Sequence, residues 1–203
     1  MHPRVVELIG LLSLSPHPEG GHFRRTHASA VQVEHGGHVR PAMTAIDFLL
    51  EAGAASQWHK VDADESWHWQ EGAPLELRIF DEAGGRLESI RLDAAGDGRA
   101  MAVVPAGAWQ SARTLGDYTR VACTVAPGFV WEGFELLEAD SAVARRLRAL
   151  AAWPSGGSSA LVRAARGHAD PSGPGQLPGP AAGRSLRRHR PVSAQGAGFS
   201  RRR

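Results

Sequence analysis

The feature that most restricts the fold of this chain is a series of short segments in which apolar and polar residues alternate. In residues 75–79, two leucines and an isoleucine alternate with Glu and Arg. Segments at residues 87–92, 101–104 and 118–125 are similarly short, and clusters of Gly, Pro and Asp separate them. Alternation places side chains on opposite faces of a strand, and many short strands separated by turn residues are typical of antiparallel sandwiches and barrels. We therefore predict an all-β domain.

Two segments with the spacing of amphipathic helices flank this region. From Pro3 to Leu14, apolar residues recur at positions i, i+3, i+4 and i+7, and Pro16 and Pro18 follow. Residues 141–153 repeat the pattern after Asp140, whose carboxylate can accept hydrogen bonds from a first helical turn. Because proline interrupts a helix, we predict a short N-terminal helix that the prolines end, and a second short helix after the strands.

The charge distribution divides the chain in two. Up to Leu150 there are 14 basic and 20 acidic side chains, whereas the last 53 residues contain nine Arg and one acid, Asp170. Those 53 residues also contain nine Gly and six Pro. Such a composition buries too little apolar surface to offset the entropy lost on ordering. We predict a folded domain over residues 1–153 and a disordered tail over residues 154–203.

Several classes of protein conflict with the sequence. No apolar run approaches the roughly 20 residues that a membrane helix needs, and Arg4 and Glu7 interrupt the N-terminal apolar stretch, which argues against a secretory signal. The single cysteine, Cys123, permits no internal disulfide and is expected to be a buried, unreactive thiol. Aromatic residues do not interleave with the arginines of the tail, so we expect only non-specific contact with nucleic acid. These features favour a cytoplasmic protein.

Two motifs carry the chemical information. The first spans residues 53–72, with a glycine at each end and His59, Val61 and Glu65 between them. The second is the sequence PAGAWQ at residues 105–110. In order and spacing they resemble the two motifs of the cupin superfamily. Val61 and the final glutamine take positions that the superfamily motifs fill with histidine.

The resemblance extends to the cupin subfamily described as predicted sugar epimerases of unknown function, the DUF985-like cupins. The blocks that carry it occur in the expected order, at residues 16–24, 44–50, 58–68, 104–110 and 126–136. It implies a cupin-type antiparallel β-barrel, also called a double-stranded β-helix or jelly roll, that usually forms a homodimer. We therefore expect a small polar ligand, a sugar or nucleotide-sugar, bound within the barrel.

The first functional hypothesis is an epimerase or isomerase that needs no metal. His59 is the candidate base for removing a proton next to a carbonyl, oriented by Glu65 or Asp64, and Tyr118 is the candidate acid that returns a proton. Arginine can bind a phosphate or carboxylate of the substrate, and tryptophan gives a flat wall suited to a sugar face. The candidates for substrate contact are Arg24, Trp58, Trp67, Trp69, Trp109, Gln110 and Arg113.

Two alternatives use the same cavity. One is a metal-dependent isomerase or dioxygenase, in which His59, Glu65 and the Gln110 carbonyl hold Zn, Mn, Fe or Ni. His68 would strengthen that site, but strict alternation places it on the opposite face from Glu65 unless a bulge intervenes. The other is a cupin that binds a small molecule without catalysis.

The candidate residues also have structural interpretations. Gln110 could satisfy backbone groups of the turn before it, His68 could lie at the surface or in a dimer contact, and the tryptophans taken singly resemble core residues. The segment beginning at Glu19 is interpreted as a tight loop, with Glu19 as a partner for Arg24. The histidines interpreted as loop residues, because their spacing matches no ligand pattern, are His17, His22, His27, His35 and His38.

Overall fold

A computed structural model describes residues 1–94 and 98–150. The helices are α1 (Pro3–Leu12) and α2 (Ala142–Leu150), and a 3₁₀ turn spans Trp131–Gly133. The strands are β1 (Ser15–Pro16), β2 (His22–Ala28), β3 (Gln32–His35), β4 (His38–Pro41), β5 (Thr44–Glu51), β6 (His59–Val61), β7 (Asp64–Gly72), β8 (Leu75–Asp81), β9 (Arg86–Leu92), β10 (Met101–Val104), β11 (Trp109–Thr114), β12 (Tyr118–Ala126) and β13 (Phe134–Leu136). The predicted tail, and the last three residues of the predicted second helix, lie outside the described residues.

The strands form two main sheets, and every strand pair within them is antiparallel. One sheet has the order β1-β2-β5-β12-β7-β10 and the other has the order β13-β6-β11-β8-β9, while β3 and β4 form a separate hairpin. Neighbours that are distant in sequence, such as β5 with β12 and β6 with β11, give the crossed connections of a jelly roll. The predicted all-β antiparallel architecture is confirmed.

The core lies between the two sheets and follows the alternation seen in the sequence. In β8 the inward side chains Leu75, Leu77 and Ile79 are buried, and they meet Trp67 of β7 and Phe48 of β5 from the facing sheet. Burial of large apolar side chains supplies most of the free energy that holds such sheets together. Apolar side chains therefore fill most of the space between the inner faces, and only a few polar side chains lie among them.

Both predicted helices are present and pack on the outside of the sheets. α1 buries Val5 and Leu8 against Leu49, and it ends where Ser13 adopts a left-handed conformation (φ 51°), three residues before the first of the prolines expected to end it. The hydroxyl of Ser141, rather than the predicted Asp140 carboxylate, accepts the backbone N–H of the first turn of α2. No helix in the described ranges is long and apolar enough to cross a membrane.

The β3–β4 hairpin is fastened to the turn between β6 and β7. Arg40 is fully buried and donates two hydrogen bonds of 2.7 Å to the Asp62 carboxylate. His35 adds a contact of 2.8 Å to the Asp62 carbonyl oxygen. Bidentate Arg–carboxylate pairs fix both distance and orientation, so the hairpin is held next to the turn where β6 ends and β7 follows.

Candidate functional site

Seven side chains with polar atoms form a buried cluster inside the barrel. They come from the loop before β2 and from strands β6, β7, β11 and β12, and we call them the inner polar cluster: His17, Glu19, His59, Glu65, Trp67, Gln110 and Cys123. A polar group is costly to bury unless it is hydrogen bonded. The contacts within the cluster therefore determine what chemistry it can support.

His59 and Glu19 form the first half of the cluster. The His59 Nδ1 atom lies 2.7 Å from the carbonyl oxygen of Gln57, which can only accept, so Nδ1 carries the proton. In the neutral ring, Nε2 then has the free lone pair, and it lies 3.2 Å from Oε2 of Glu19. The side chain of His59 is 2% exposed and that of Glu19 is 7% exposed. The predicted partners Glu65 and Asp64 do not take this position.

Backbone geometry brings Glu19 into the barrel. The loop closes through hydrogen bonds from Gly20 N–H to the His17 carbonyl and from His17 N–H to the Gly21 carbonyl, of 2.9 and 3.0 Å. Gly21 has φ 72°, and a Cβ atom there would come within 2.7 Å of the Leu49 carbonyl oxygen. Only glycine fits both requirements. The predicted tight loop is present, and its function in the fold is to deliver a carboxyl group to His59.

His17 supports Glu19 from the other side. Its Nδ1 atom accepts the Glu19 backbone N–H at 3.3 Å and lies 3.5 Å from Glu19 Oε2. The ring packs edge-on to Phe23 at 4.5 Å and parallel to Trp131 at 5.9 Å. Burial, with a smaller contribution from His59, lowers the pKa of His17 to about 3. His17 thus lies in a loop, as predicted, but it is a buried neutral residue of the cluster. The prediction is wrong for the other four histidines, because strands contain them: His22 and His27 in β2, His35 in β3 and His38 in β4.

Burial sets the protonation of the pair. It lowers the pKa of His59 to about 4, partly offset by the hydrogen bond to Gln57. It raises the pKa of Glu19 well above the usual range, and the nearby charge of Glu65 adds to this effect. Because Nε2 and Oε2 lie 3.2 Å apart and the ring proton is on Nδ1, one further proton between them satisfies both atoms. The directions of the two pKa shifts favour placing that proton on Glu19, which then donates it to the His59 Nε2 lone pair.

Glu65 and Gln110 form the second half of the cluster. Gln110 Nε2 donates to Glu65 Oε2 at 2.6 Å, and Gln110 Oε1 accepts from Trp67 Nε1 at 2.9 Å. The Cys123 side chain also hydrogen bonds to Glu65. Burial raises the pKa of Glu65 to about 7, while both hydrogen bonds oppose that shift. The amide of Gln110 is thus fixed by two side chains, not by the turn before it.

The donor set does not fit the metal site implied by the superfamily. Gln110 presents its NH₂ group, a donor, toward Glu65, and its carbonyl oxygen already accepts from Trp67. His59 Nε2 faces Glu19, and Val61 fills the place of the second histidine. Within residues 1–94 and 98–150, no three His, Cys, Asp or Glu side chains are arranged to hold a metal ion. The predicted set of His59, Glu65, His68 and Gln110 is therefore not assembled.

In the part of the chain that the structure describes, two of the cavities at the barrel surface lie near this cluster, and neither is lined by its residues. A cleft of about 1110 Å³ lies between β9 and β10, above an apolar floor that includes Ile79, Ile90 and Ala102. A smaller cavity of about 350 Å³ is bordered by Val61 and Phe134. The Phe134 ring packs on His59, with ring centroids 5.5 Å apart. Of these two cavities, the smaller one approaches His59 more directly, with Phe134 between them.

Apart from the tryptophans, four predicted site residues lie outside the barrel interior. The Tyr118 hydroxyl donates to Glu71 at 3.2 Å, and its ring packs beside α1, so it is not placed to return a proton at His59. Arg24 lies 3.9 Å from Asp47 rather than beside Glu19. The other two are Arg113, paired with Glu76 at 2.7 Å, and His68, on the outer face of β7. The bulge in the β7–β12 pairing falls beyond His68, so it does not turn that side chain inward.

The four predicted tryptophans divide between two faces. Trp67 is 1% exposed and belongs to the inner polar cluster, and Trp69 packs against the core and donates to the Ala73 carbonyl at 3.1 Å. Trp58 and Trp109 lie on the outer face of the five-stranded sheet, where they pack with Leu147 of α2. These two therefore contact the helix and do not form a ligand wall inside the barrel.

The sequence reasoning missed Glu19 as the buried partner of His59. A signal was present, because Glu19 lies in one of the blocks that carry the family resemblance and two glycines follow it. A carboxyl group beside two glycines is equally common in exposed turns. Only the contact with His59, forty positions along the chain, distinguishes the two interpretations.

The fold and the inner polar cluster together define a class of protein: a small jelly-roll barrel with an acid–base pair between its sheets. The match to a family model identifies the particular family. Residues 6–137 match the family described as Cupin superfamily (DUF985), and the chain belongs to it. The predicted membership of the cupin superfamily is confirmed.

Solved structures agree with this assignment. A hypothetical protein from Leishmania major is 27% identical with a TM-score of 0.61, and the match covers 71% of this chain and 90% of that one. A protein from Shewanella oneidensis is 29% identical with a TM-score of 0.64, covering 71% of this chain and 92% of that one. No curated protein matches the sequence significantly. These similarities support the fold and name no activity.

Proposed function

We propose that this cupin domain binds a small polar ligand, a sugar or nucleotide-sugar, and moves a proton next to its carbonyl group, with His59 as the base. The observation that carries the proposal is the buried pair of His59 and Glu19, in which the ring is oriented by the Gln57 carbonyl. This is an epimerase or isomerase reaction class. Glu19, rather than the expected Glu65, is the carboxyl beside the base.

The electrostatics of the pair support proton abstraction. At neutral pH His59 is unprotonated, which is the form that can accept a proton. Its low pKa makes it a weak base in the empty site. An enolate that develops beside the ring would raise that pKa, because an adjacent negative charge favours the imidazolium. The low dielectric of the barrel strengthens this effect.

The smaller cavity supports binding of a sugar-sized ligand. Its volume of about 350 Å³ falls at the lower end of the range for small-molecule sites. Its wall includes Phe134, whose ring covers His59, and Lys60, which pairs with Glu135 at 2.9 Å. A ligand that enters here and displaces the Phe134 ring would contact the His59 ring.

Solvent exchange tests the proposal. Each member of a panel of five- and six-carbon aldoses and ketoses, free and phosphorylated, and of nucleoside diphosphate sugars, is incubated with the protein in D₂O and followed by proton NMR. We expect deuterium at a carbon next to the carbonyl for at least one of them. His59→Gln should abolish incorporation, whereas the matched control His68→Gln, a histidine on the outer face of β7, should retain it. No incorporation with the entire panel would contradict the proposal.

A second candidate is ligand binding without turnover. It is favoured by the larger cleft, whose lining includes none of His59, Glu19 or Glu65. In that case a sugar of the same panel binds, no carbon-bound proton exchanges, and His59→Gln binds as well as the wild type. Saturation-transfer NMR on both proteins separates this function from the first.

A further inference from the structure

His59 and Glu19 reach the same point in the barrel from two different elements. His59 is the first residue of β6, and Glu19 lies in the loop between β1 and β2. Their Nε2 and Oε2 atoms are 3.2 Å apart, within hydrogen-bond reach through a shared proton. Two atoms this close can act on neighbouring atoms of one substrate. They cannot lie on opposite sides of a single carbon.

That distance restricts the stereochemistry of the reaction. Epimerisation removes a proton from one face of a carbon and returns one to the opposite face, so it needs proton carriers on both sides. Isomerisation of an aldose to a ketose moves a proton between neighbouring carbons, and one base on one face is sufficient. Among the described residues, the His59 ring also contacts the Gln57 carbonyl and the apolar Phe134 ring, and neither can donate a proton. His17 is close enough to His59 to influence its own pKa, but its Nδ1 atom lies beside Glu19, at 3.5 Å from Oε2, and therefore does not supply an acid opposite Glu19.

The other candidate acids, Tyr118 and Glu65, do not lie beside His59 Nε2 as Glu19 does. The Tyr118 hydroxyl donates to Glu71 on the side of the barrel covered by α1. Glu65 is inside the barrel, but its carboxyl group is held by Gln110 and Cys123. Glu19 is therefore the acid that the structure places at the base, and no second acid lies opposite it in the described contacts of His59.

We propose that Glu19 is the proton donor paired with His59, and that the pair catalyses aldose–ketose isomerisation on one face of the substrate rather than epimerisation. This rests on the proposed function and narrows its reaction class. The substrate is an α-hydroxy carbonyl compound, a sugar in its open-chain form, whose carbonyl oxygen displaces Nε2 as the acceptor of the Glu19 proton.

The step balances without any other reactant. His59 Nε2 takes the proton from C2 while the Glu19 acid gives its proton to O1, and the electron pair of the C2–H bond forms the double bond of an enediol. The imidazolium then returns its proton to C1 on the same face, and the Glu19 carboxylate takes the proton from the C2 hydroxyl. Both groups end in their starting states, and the substrate is neither oxidised nor reduced overall.

The test has two parts, and the first needs no substrate. In full-length protein labelled with ¹⁵N in histidine, the His59 resonances at pH 7 should show a neutral ring with its proton on Nδ1. Glu19→Gln keeps a donor beside Nε2 and should leave this tautomer unchanged. An imidazolium in the wild type would mean that the carboxyl is ionised and the base already protonated. That result would overturn the proposal.

The second part uses any panel sugar that exchanges in the D₂O assay. The expected product is the aldose or ketose isomer, with deuterium delivered to one face of the accepting carbon. Glu19→Gln should lower turnover by about 100-fold or more, the usual range for loss of a general acid, whereas Tyr118→Phe should retain wild-type turnover.

Its outcomes separate this inference from the proposed function. Inversion at a single carbon, abolished by Glu65→Gln, would overturn the inference while leaving His59 as the base. Exchange at the wild-type rate in Glu19→Gln would overturn the inference as well. Absence of exchange with the whole panel would overturn both.

Discussion

Glu65→Gln should remove a large part of the pH dependence of folding stability. Burial raises the pKa of Glu65 to about 7 from its ordinary 4.5. The folded protein therefore binds this proton more tightly than the unfolded chain does, and the resulting stability is fully present below pH 4.5 and lost as the pH rises through about 7. A pKa difference of about 2.5 corresponds to about 3 kcal/mol. Glutamine resembles the protonated acid and cannot ionise.

The free energy of unfolding can be measured by urea titration with tryptophan fluorescence at several values between about pH 4.5 and pH 8.5. The wild type should lose about 3 kcal/mol relative to Glu65→Gln across this range. Contributions from His17 and His59 occur in both proteins and largely cancel in the difference. The Glu65 charge also raises the pKa of Glu19, so its removal in the variant changes the difference in the same direction. Glu34→Gln, at an exposed carboxyl of the β3–β4 hairpin, is the control. Parallel curves for the wild type and Glu65→Gln would refute the assignment of a buried proton to this residue.

Three further predictions concern other parts of the molecule. Leu147→Ala should destabilise the domain by about 2–5 kcal/mol, because this 4% exposed side chain holds α2 on the sheet, and thermal denaturation checks it. Asp62→Ala should cost about 3 kcal/mol by urea titration, since it leaves the fully buried Arg40 unpaired. The double variant Val61→His, Gln110→His should gain Co²⁺ binding with visible absorption bands that the wild type lacks, because it restores the two altered ligand positions of the superfamily motif. Failure of the double variant to bind while folded would show that the cluster differs from a metal site by more than these two residues.

The fold could be predicted largely from local patterns. Alternation in β8 identified its inward face, and the same rule placed Glu65 and Trp67 on the inner side of β7 and His68 on its outer side. Alternation did not indicate that part of the outer face of the five-stranded sheet is also buried. Trp109 lies there because α2 covers it, and a helix that follows in the sequence gives no local signal of where it will pack.

The site was predicted only in part, and for a physical reason. His59 was identified because a motif places it on an inward strand position, and motifs of this kind are local. Glu19 reaches His59 across forty positions through a loop that two glycines shape. Tyr118 was selected because it is the only tyrosine, yet its place in the register, opposite Glu51, directs it toward α1. The chemical type of a residue alone does not show whether the fold places it beside the base.

Protons, rather than a divalent metal ion, compensate the buried carboxyl groups of this barrel. Glu19 and Glu65 are both buried, and burial followed by their mutual repulsion raises the pKa of Glu19 well above the usual range. A divalent ion would stabilise two such carboxylates by its charge. In this chain, Gln110 offers an amide N–H₂ group to Glu65, and protonation of Glu19 satisfies His59. Because the groups that would otherwise coordinate a metal are occupied in holding or accepting protons, the cluster fits the proposed proton transfer better than metal chemistry. Rising pH should weaken that proposed activity by ionising the carboxyl groups.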